Sequence, residues 1–188
     1  MKMTATLSLG TLLLCCSCER SAIDPSESLV GAKALPPSSA LSQEIIQINR
    51  GVGGRGYGDD FLSYELRPDN SLAVTHTFRP EDKVRASETF RLSAEVAEQA
   101  RGALWRLRPN ELQGVEQEIR PTGCDKIYDA GSEVAVAFIS PDKRIAVVDV
   151  PYRRDCDARS AKIARTIVGE VLTSFPKSNV AAGFPRID

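Results

Sequence analysis

The chain has 188 residues, of which 42% are hydrophobic and 26% charged. Its 24 Lys and Arg stand against 25 Asp and Glu, a formal net charge of −1. That balance supplies no basic field for nucleic acid. Beyond residue 14 no apolar run approaches the roughly 20 residues that a spanning helix needs.

The chain opens with Lys2 and a short apolar stretch over residues 7–14. Such a stretch is too short to span a bilayer and reads as an export signal, removed after use. It runs into Leu14-Cys15-Cys16-Ser17-Cys18. This stretch resembles the lipobox of bacterial lipoproteins, in which a small residue precedes an invariant cysteine. Ser17-Cys18 fits the last two positions, while Cys15 and Cys16 stand where a leucine and a small residue are usual. The resemblance implies that residues 1–17 are cleaved and that Cys18 carries lipid at the new amino terminus. Glu19 in place of an aspartate implies the outer membrane, on its periplasmic face. Several acyl chains hold a membrane stably where one does not.

Removing the signal leaves about 170 residues, enough for one domain with a sizeable core. Residues 18–42 are rich in Ser, Ala and Pro and read as a flexible tether, with a reach of roughly 25–30 Å. Two cysteines remain in the mature chain, Cys124 and Cys156. In an oxidising compartment such a pair is most simply one disulfide. A metal site is the poorer alternative, since no histidine lies near either thiol.

Strand signals follow in order over residues 44–50, 61–67, 72–79, 84–91, 134–139 and 145–150, each from alternation or a short apolar run. Ser93 is an N-cap for a helix running to Trp105, with Val96, Ala100, Ala103, Leu104 and Leu107 as its apolar stripe. Trp105 falls off that stripe and is expected beneath the irregular segment 108–123. Residues 158–175 carry a broad apolar helical face. Residues 43–176 are therefore expected to form a single α+β domain: an antiparallel sheet of five or six strands, two helices packed on it, and one disulfide. Residues 177–188 read as a loose tail. The segments 68–74 and 141–147 echo one another, each a Pro-Asp turn inside a hairpin followed by a helix. A common turn accounts for the echo; a duplicated strand-strand-helix unit is the alternative.

Four features bear on chemistry. Gly51-Val52-Gly53-Gly54-Arg55-Gly56 spells a dinucleotide fingerprint, but the next element is a strand, and the phosphate cradle needs a helix. No nucleotide or other cofactor is expected. The same loop approximates a calcium nonapeptide reaching Asp59 and Asp60, in a single copy where such sites need stacked repeats; no metal is expected. His76, the only histidine, lies on an apolar strand face. A turn at residues 81–83 would set it opposite Glu88, either as a structural polar pair or as an oriented general base. Tyr152-Arg153-Arg154 lies beside Cys156, where a disulfide would hold it rigid and lower the cost of binding.

Taken together, the residues point to a lipid-anchored envelope protein that binds a protein partner and performs no catalysis. Arg55, Tyr57, Asp59, Asp60, Tyr152, Arg153 and Arg154 are its candidate contacts, of residue types common at interfaces. The partner would be a lytic or toxic enzyme that the protein inhibits, or an envelope complex it joins. A hydrolase using His76 with Glu88 is the alternative. Mass spectrometry of protein from its native host should find Cys18 as an acylated first residue and Cys124 bonded to Cys156. An intact leader with both later thiols reduced would overturn this reading.

Overall fold

A computed structural model describes residues 43–52, 60–78, 83–109, 117–119, 133–151, 159–182 and 184. Seven strands lie among them: β1 (Ile45–Val52), β2 (Asp60–Leu66), β3 (Ser71–Phe78), β4 (Lys83–Arg91), β5 (Gln117–Ile119), β6 (Glu133–Ile139) and β7 (Ile145–Pro151). The helices are α1 (Ala94–Trp105), α2 (Arg159–Ser174) and the single-turn α3 (Asn179–Ala182). The strands form one sheet in the order β4-β3-β2-β1-β6-β7-β5. Every neighbouring pair is antiparallel except β5, which runs parallel to β7. The α+β expectation holds, with six antiparallel strands and two main helices. The short parallel β5 is an addition, in a segment whose sequence reads as irregular.

Strand parity explains the core. Ile46 and Ile48 on β1 stand opposite Leu66 and Tyr64 on β2, and opposite Phe138 and Val136 on β6. Leu72 and Val74 on β3 and Val148 and Val150 on β7 continue the same face. All ten are buried, and each fully buried aliphatic side chain stabilises by about 1.5–3 kcal/mol. Both main helices cover this one face. α1 contributes Ala97, Ala100 and Leu104, and α2 contributes Ala164, Ile167, Val168 and Val171. Phe175, just past α2, meets Tyr64 at 6.1 Å between ring centroids. Ser93 caps α1, its side chain accepting from the Val96 N–H at 3.2 Å. Trp105 is half-buried, with the Arg108 guanidinium 4.7 Å from its ring centroid.

The two echoing segments form the same turn. Arg67 N–H donates to Ser71 O and Asn70 N–H to Arg67 O; Ser140 N–H donates to Arg144 O and Lys143 N–H to Ser140 O. Asn70 and Lys143 both adopt the left-handed conformation, at φ 64° and 65°, as a three-residue hairpin loop requires. The strands that follow present opposite faces, however. Leu66 and Leu72 pair across the first hairpin on the buried face. Their counterparts Ile139 and Ile145 pair on the other face and are only half-buried. A repeated unit would carry its second helix to that other face, whereas α1 and α2 share one. The common turn, not duplication, accounts for the echo.

α1 is fastened to the sheet by a charge that its apolar stripe conceals. Arg101 is 2% exposed. Its Nη1 donates to the Glu44 carbonyl at 2.8 Å, and its Nη2 to the Arg67 carbonyl. One guanidinium thus closes the start of β1 and the end of β2. Beside it, Arg108 forks onto the Glu44 carboxylate, with Nε–Oε2 at 2.8 Å and Nη2–Oε1 at 2.6 Å. Burial lowers the Arg101 pKa, while the charges of Glu44 and Asp69 oppose that shift. Replacing Arg101 by Met should remove two hydrogen bonds from a charged donor, one of them to the buried Glu44 carbonyl, and destabilise the fold by about 3 kcal/mol. Urea denaturation would show a lower midpoint at unchanged slope; a loss below about 0.5 kcal/mol would refute the clamp.

Candidate functional site

The register places six strand ends together. Val52 pairs with Asp60, Phe78 with both Asp60 and Lys83, and Gly51 and Pro151 both with Glu133. The segment holding Arg55, Tyr57 and Asp59 therefore leaves from the same end of the sheet as the one holding Tyr152, Arg153 and Arg154. Those six residues, with Cys18, Cys124 and Cys156, lie outside the described residues. Glu133 and Pro151 are cross-strand partners, so the chain segments leading to the two later cysteines start from neighbouring points.

Asp60 is described, and it is engaged. Its Oδ1 lies 2.8 Å from His76 Nε2 and 3.6 Å from Arg85 Nη1. Arg85 also stacks on Phe78, 4.2 Å from the ring centroid. Position follows from parity: Asp60 and Leu62 share a face of β2, and Leu62 pairs with His76. The dyad thus sits on the helix-covered face where the apolar core gives way to solvent. Arg50, on the same face of β1, hydrogen-bonds the Tyr64 phenol. Burial pushes the Tyr64 pKa up, against the opposing effect of Arg50.

His76 does not stand opposite Glu88. Val74 pairs with Glu88 and His76 with Ala86, two residues from the expected register. The expected register would place Pro80 in the ladder opposite Val84. Proline has no N–H to give a ladder, and the pairing closes instead at Phe78 and Lys83. An irregularity between His76 and Thr77 then sets Thr77 opposite Val84, with Arg85 as the extra residue. Val84 is consequently not on the face of Glu88 and Phe90, and it is 55% exposed.

Glu88 has a different task. Its Oε2 accepts from Ser178 Oγ at 2.7 Å and from the Asn179 N–H at 3.0 Å. Ser178 Oγ in turn accepts from the Ala181 N–H at 3.2 Å. Of the segment expected to be a loose tail, residues 177–182 and 184 are described, and they pack against the sheet. The segment is latched by Glu88 and anchored by Phe184, which is 7% exposed. The Phe184 ring lies 5.8 Å edge-on from His76 and 5.5 Å from the Arg50 guanidinium. A four-residue helix cannot hold itself; an aromatic anchor and a carboxylate latch hold it on the sheet.

Chemically, the arrangement is an imidazole oriented by a carboxylate, flanked by two guanidiniums. Among the described residues no group of three His, Cys, Asp or Glu could hold a metal, and no helix there is long and apolar enough to cross a membrane. From Asp60 the chain continues as β2, antiparallel to β1, so the element described after the glycine-rich segment is a strand, whereas a phosphate cradle uses a helix N-terminus. Arg50, Arg85 and Phe184 escaped the sequence reading. Arg50 did leave a signal, a charged residue in phase with buried Ile46 and Ile48.

No protein-family model matches the chain, and comparison with curated proteins finds no match.

Hydrogen bonds from Ser178 and Asn179 hold the Glu88 carboxyl below the ordinary glutamate range, with desolvation opposing them. A depressed folded pKa stabilises above the unfolded value and is lost as pH falls through the folded one. Amide protection at residues 179–184 should therefore drop on acidification below the ordinary glutamate pKa. Glu88→Gln should abolish that dependence, and Phe184→Ala should loosen the segment by about 2 kcal/mol. Hydrogen exchange that is insensitive to both changes would refute the latch.

Proposed function

We propose that this protein is a lipid-anchored binding protein of the bacterial cell envelope, held by Cys18 at the periplasmic face of the outer membrane. The observation that carries the reading is the shared strand end. The two candidate contact segments, residues 53–59 and 152–158, leave from that end of the sheet, with Asp60 at its margin. Segments from separate connections that leave one end of a rigid sheet can form a composite surface while the sheet itself stays unchanged. Arg55, Tyr57 and Asp59 would supply one side of the surface, and Tyr152, Arg153 and Arg154 the other.

A Cys124–Cys156 bond would hold the second segment and reduce its ordering cost on binding. The cross-strand pairing of Glu133 with Pro151 supports that bond by starting both segments from adjacent positions. The partner class that suits this design is a lytic or toxic enzyme inhibited by capping, or an envelope complex joined as an accessory subunit. The choice between them rests on analogy of design.

One observation favours a second reading. The His76–Asp60 contact at 2.8 Å is the geometry of an oriented general base. A hydrolase would use that pair, with Glu88 committed to the C-terminal latch.

A pull-down from envelope extract with the full chain separates the two. The binding reading expects a stoichiometric protein partner, at least tenfold depleted when Tyr152, Arg153 and Arg154 are changed to Ala and retained by His76→Ala. Hydrolysis of a cell-wall or ester substrate, abolished by His76→Ala without a retained partner, would establish the enzyme instead.

A further inference from the structure

The sheet ends very differently at its two edges. β5 closes one edge with three residues, and a short edge strand offers little to pair with. β4 forms the other edge with nine residues, KVRASETFR, without proline or glycine. Residues 83–87 are all exposed, as are Thr89 and Arg91. Among the described residues, no element pairs with the outer side of β4.

Which backbone groups face outward follows from one bond. Leu92 N–H donates to Asn70 O at 3.0 Å. Antiparallel ladders alternate, so Phe90 and Glu88 turn their backbone groups toward β3. Ser87, Thr89 and Arg91 then direct theirs away from the sheet, a row of donors and acceptors that no strand among the described residues pairs with.

Side chains decide what that row can accept. Lys83, Arg85 and Arg91 are cationic, and Glu88, the only carboxylate on the strand, is bound to Ser178 and Asn179. Arg91 is 72% exposed and reaches Asp69 only at 3.4 Å. A second copy is a poor occupant: full antiparallel pairing centred on Ser87 sets Lys83 against the copy's Arg91 twice, and like charges directly opposite destabilise. The same cations complement an acidic strand. Val84, 55% exposed at the end of β4, offers such a strand an apolar contact.

We propose that β4 is a strand-addition site for an extended, acidic, proline-free segment of a partner protein, which extends the sheet by one strand. The site stands on the fold alone and does not depend on the envelope reading or on the loop end of the sheet.

The probe is a short synthetic peptide alternating glutamate with valine and threonine, titrated against the full-length protein by fluorescence anisotropy. Binding should weaken at least tenfold with Thr89→Pro, which deletes an outward N–H while leaving the β3 ladder intact. Methylating alternate backbone nitrogens of the peptide should do the same against the unaltered protein, independently of any effect of proline on folding. A peptide with lysine in place of glutamate should bind at least tenfold more weakly. No binding of the acidic peptide, binding indifferent to Thr89→Pro and to methylation, or equal binding of the lysine peptide would each overturn the proposal.

Discussion

Alternate residues of six strands must all meet the same two helices, and this demand for common parity governs the rest of the molecule. Ile48, Tyr64, Val74, Val136 and Val148 satisfy it along one line across the sheet. A one-residue slip anywhere would turn a strand's apolar set to the other face. The demand also explains the polar groups: Arg50, Asp60 and His76 continue the buried positions past the point where helices cover them. They share a face because the core residues of their strands do. Even the repeated Pro-Asp hairpin obeys the same rule, presenting Leu72 inward in one instance and Ile145 outward in the other.

The two ends of the sheet are built for different purposes. At one end a buried guanidinium, Arg101, bonds two carbonyls, and Glu44 with Arg108 forms a forked pair beside it. Buried charge is tolerated there because carbonyls and a carboxylate lie against it. At the other end the charges are half-exposed and shared among Asp60, His76 and Arg85. The first end holds α1 against the strands. The second carries the strand ends from which the candidate contact segments depart, and the C-terminal segment closes over part of it through Phe184.

That division bears on function. A rigid clamp at one end leaves the opposite end free to vary without cost to the core, the usual arrangement where a scaffold carries recognition segments. The long cationic edge of β4 is a second surface at which backbone pairing, not side-chain chemistry, would dominate. The His76–Asp60 pair lies between these surfaces, beneath Phe184, and belongs to the packing of the tail as much as to any chemistry.

Much of this was legible from residue order. Alternation or a short apolar run located the six antiparallel strands, helical spacing located both main helices, and Ser93 marked the start of α1. These are local patterns, each set by a few neighbouring side chains. The strand after the glycine-rich run was legible too, and β2 follows that run. Four things required the tertiary structure. The register of β3 and β4 depended on where pairing could close around Pro80, and the partner of His76 moved with it. The latch of the C-terminal segment depended on Glu88, 90 residues from Ser178. Arg101 lay within an apolar helical stripe, and only the positions of the Glu44 and Arg67 carbonyls explain why a charge is buried there. The three-residue β5 carried too few residues for any periodicity, and its parallel place beside β7 came from the edge that β7 left open. Local pattern decides which face of an element is apolar; what that face meets is decided by contacts between residues far apart in the chain.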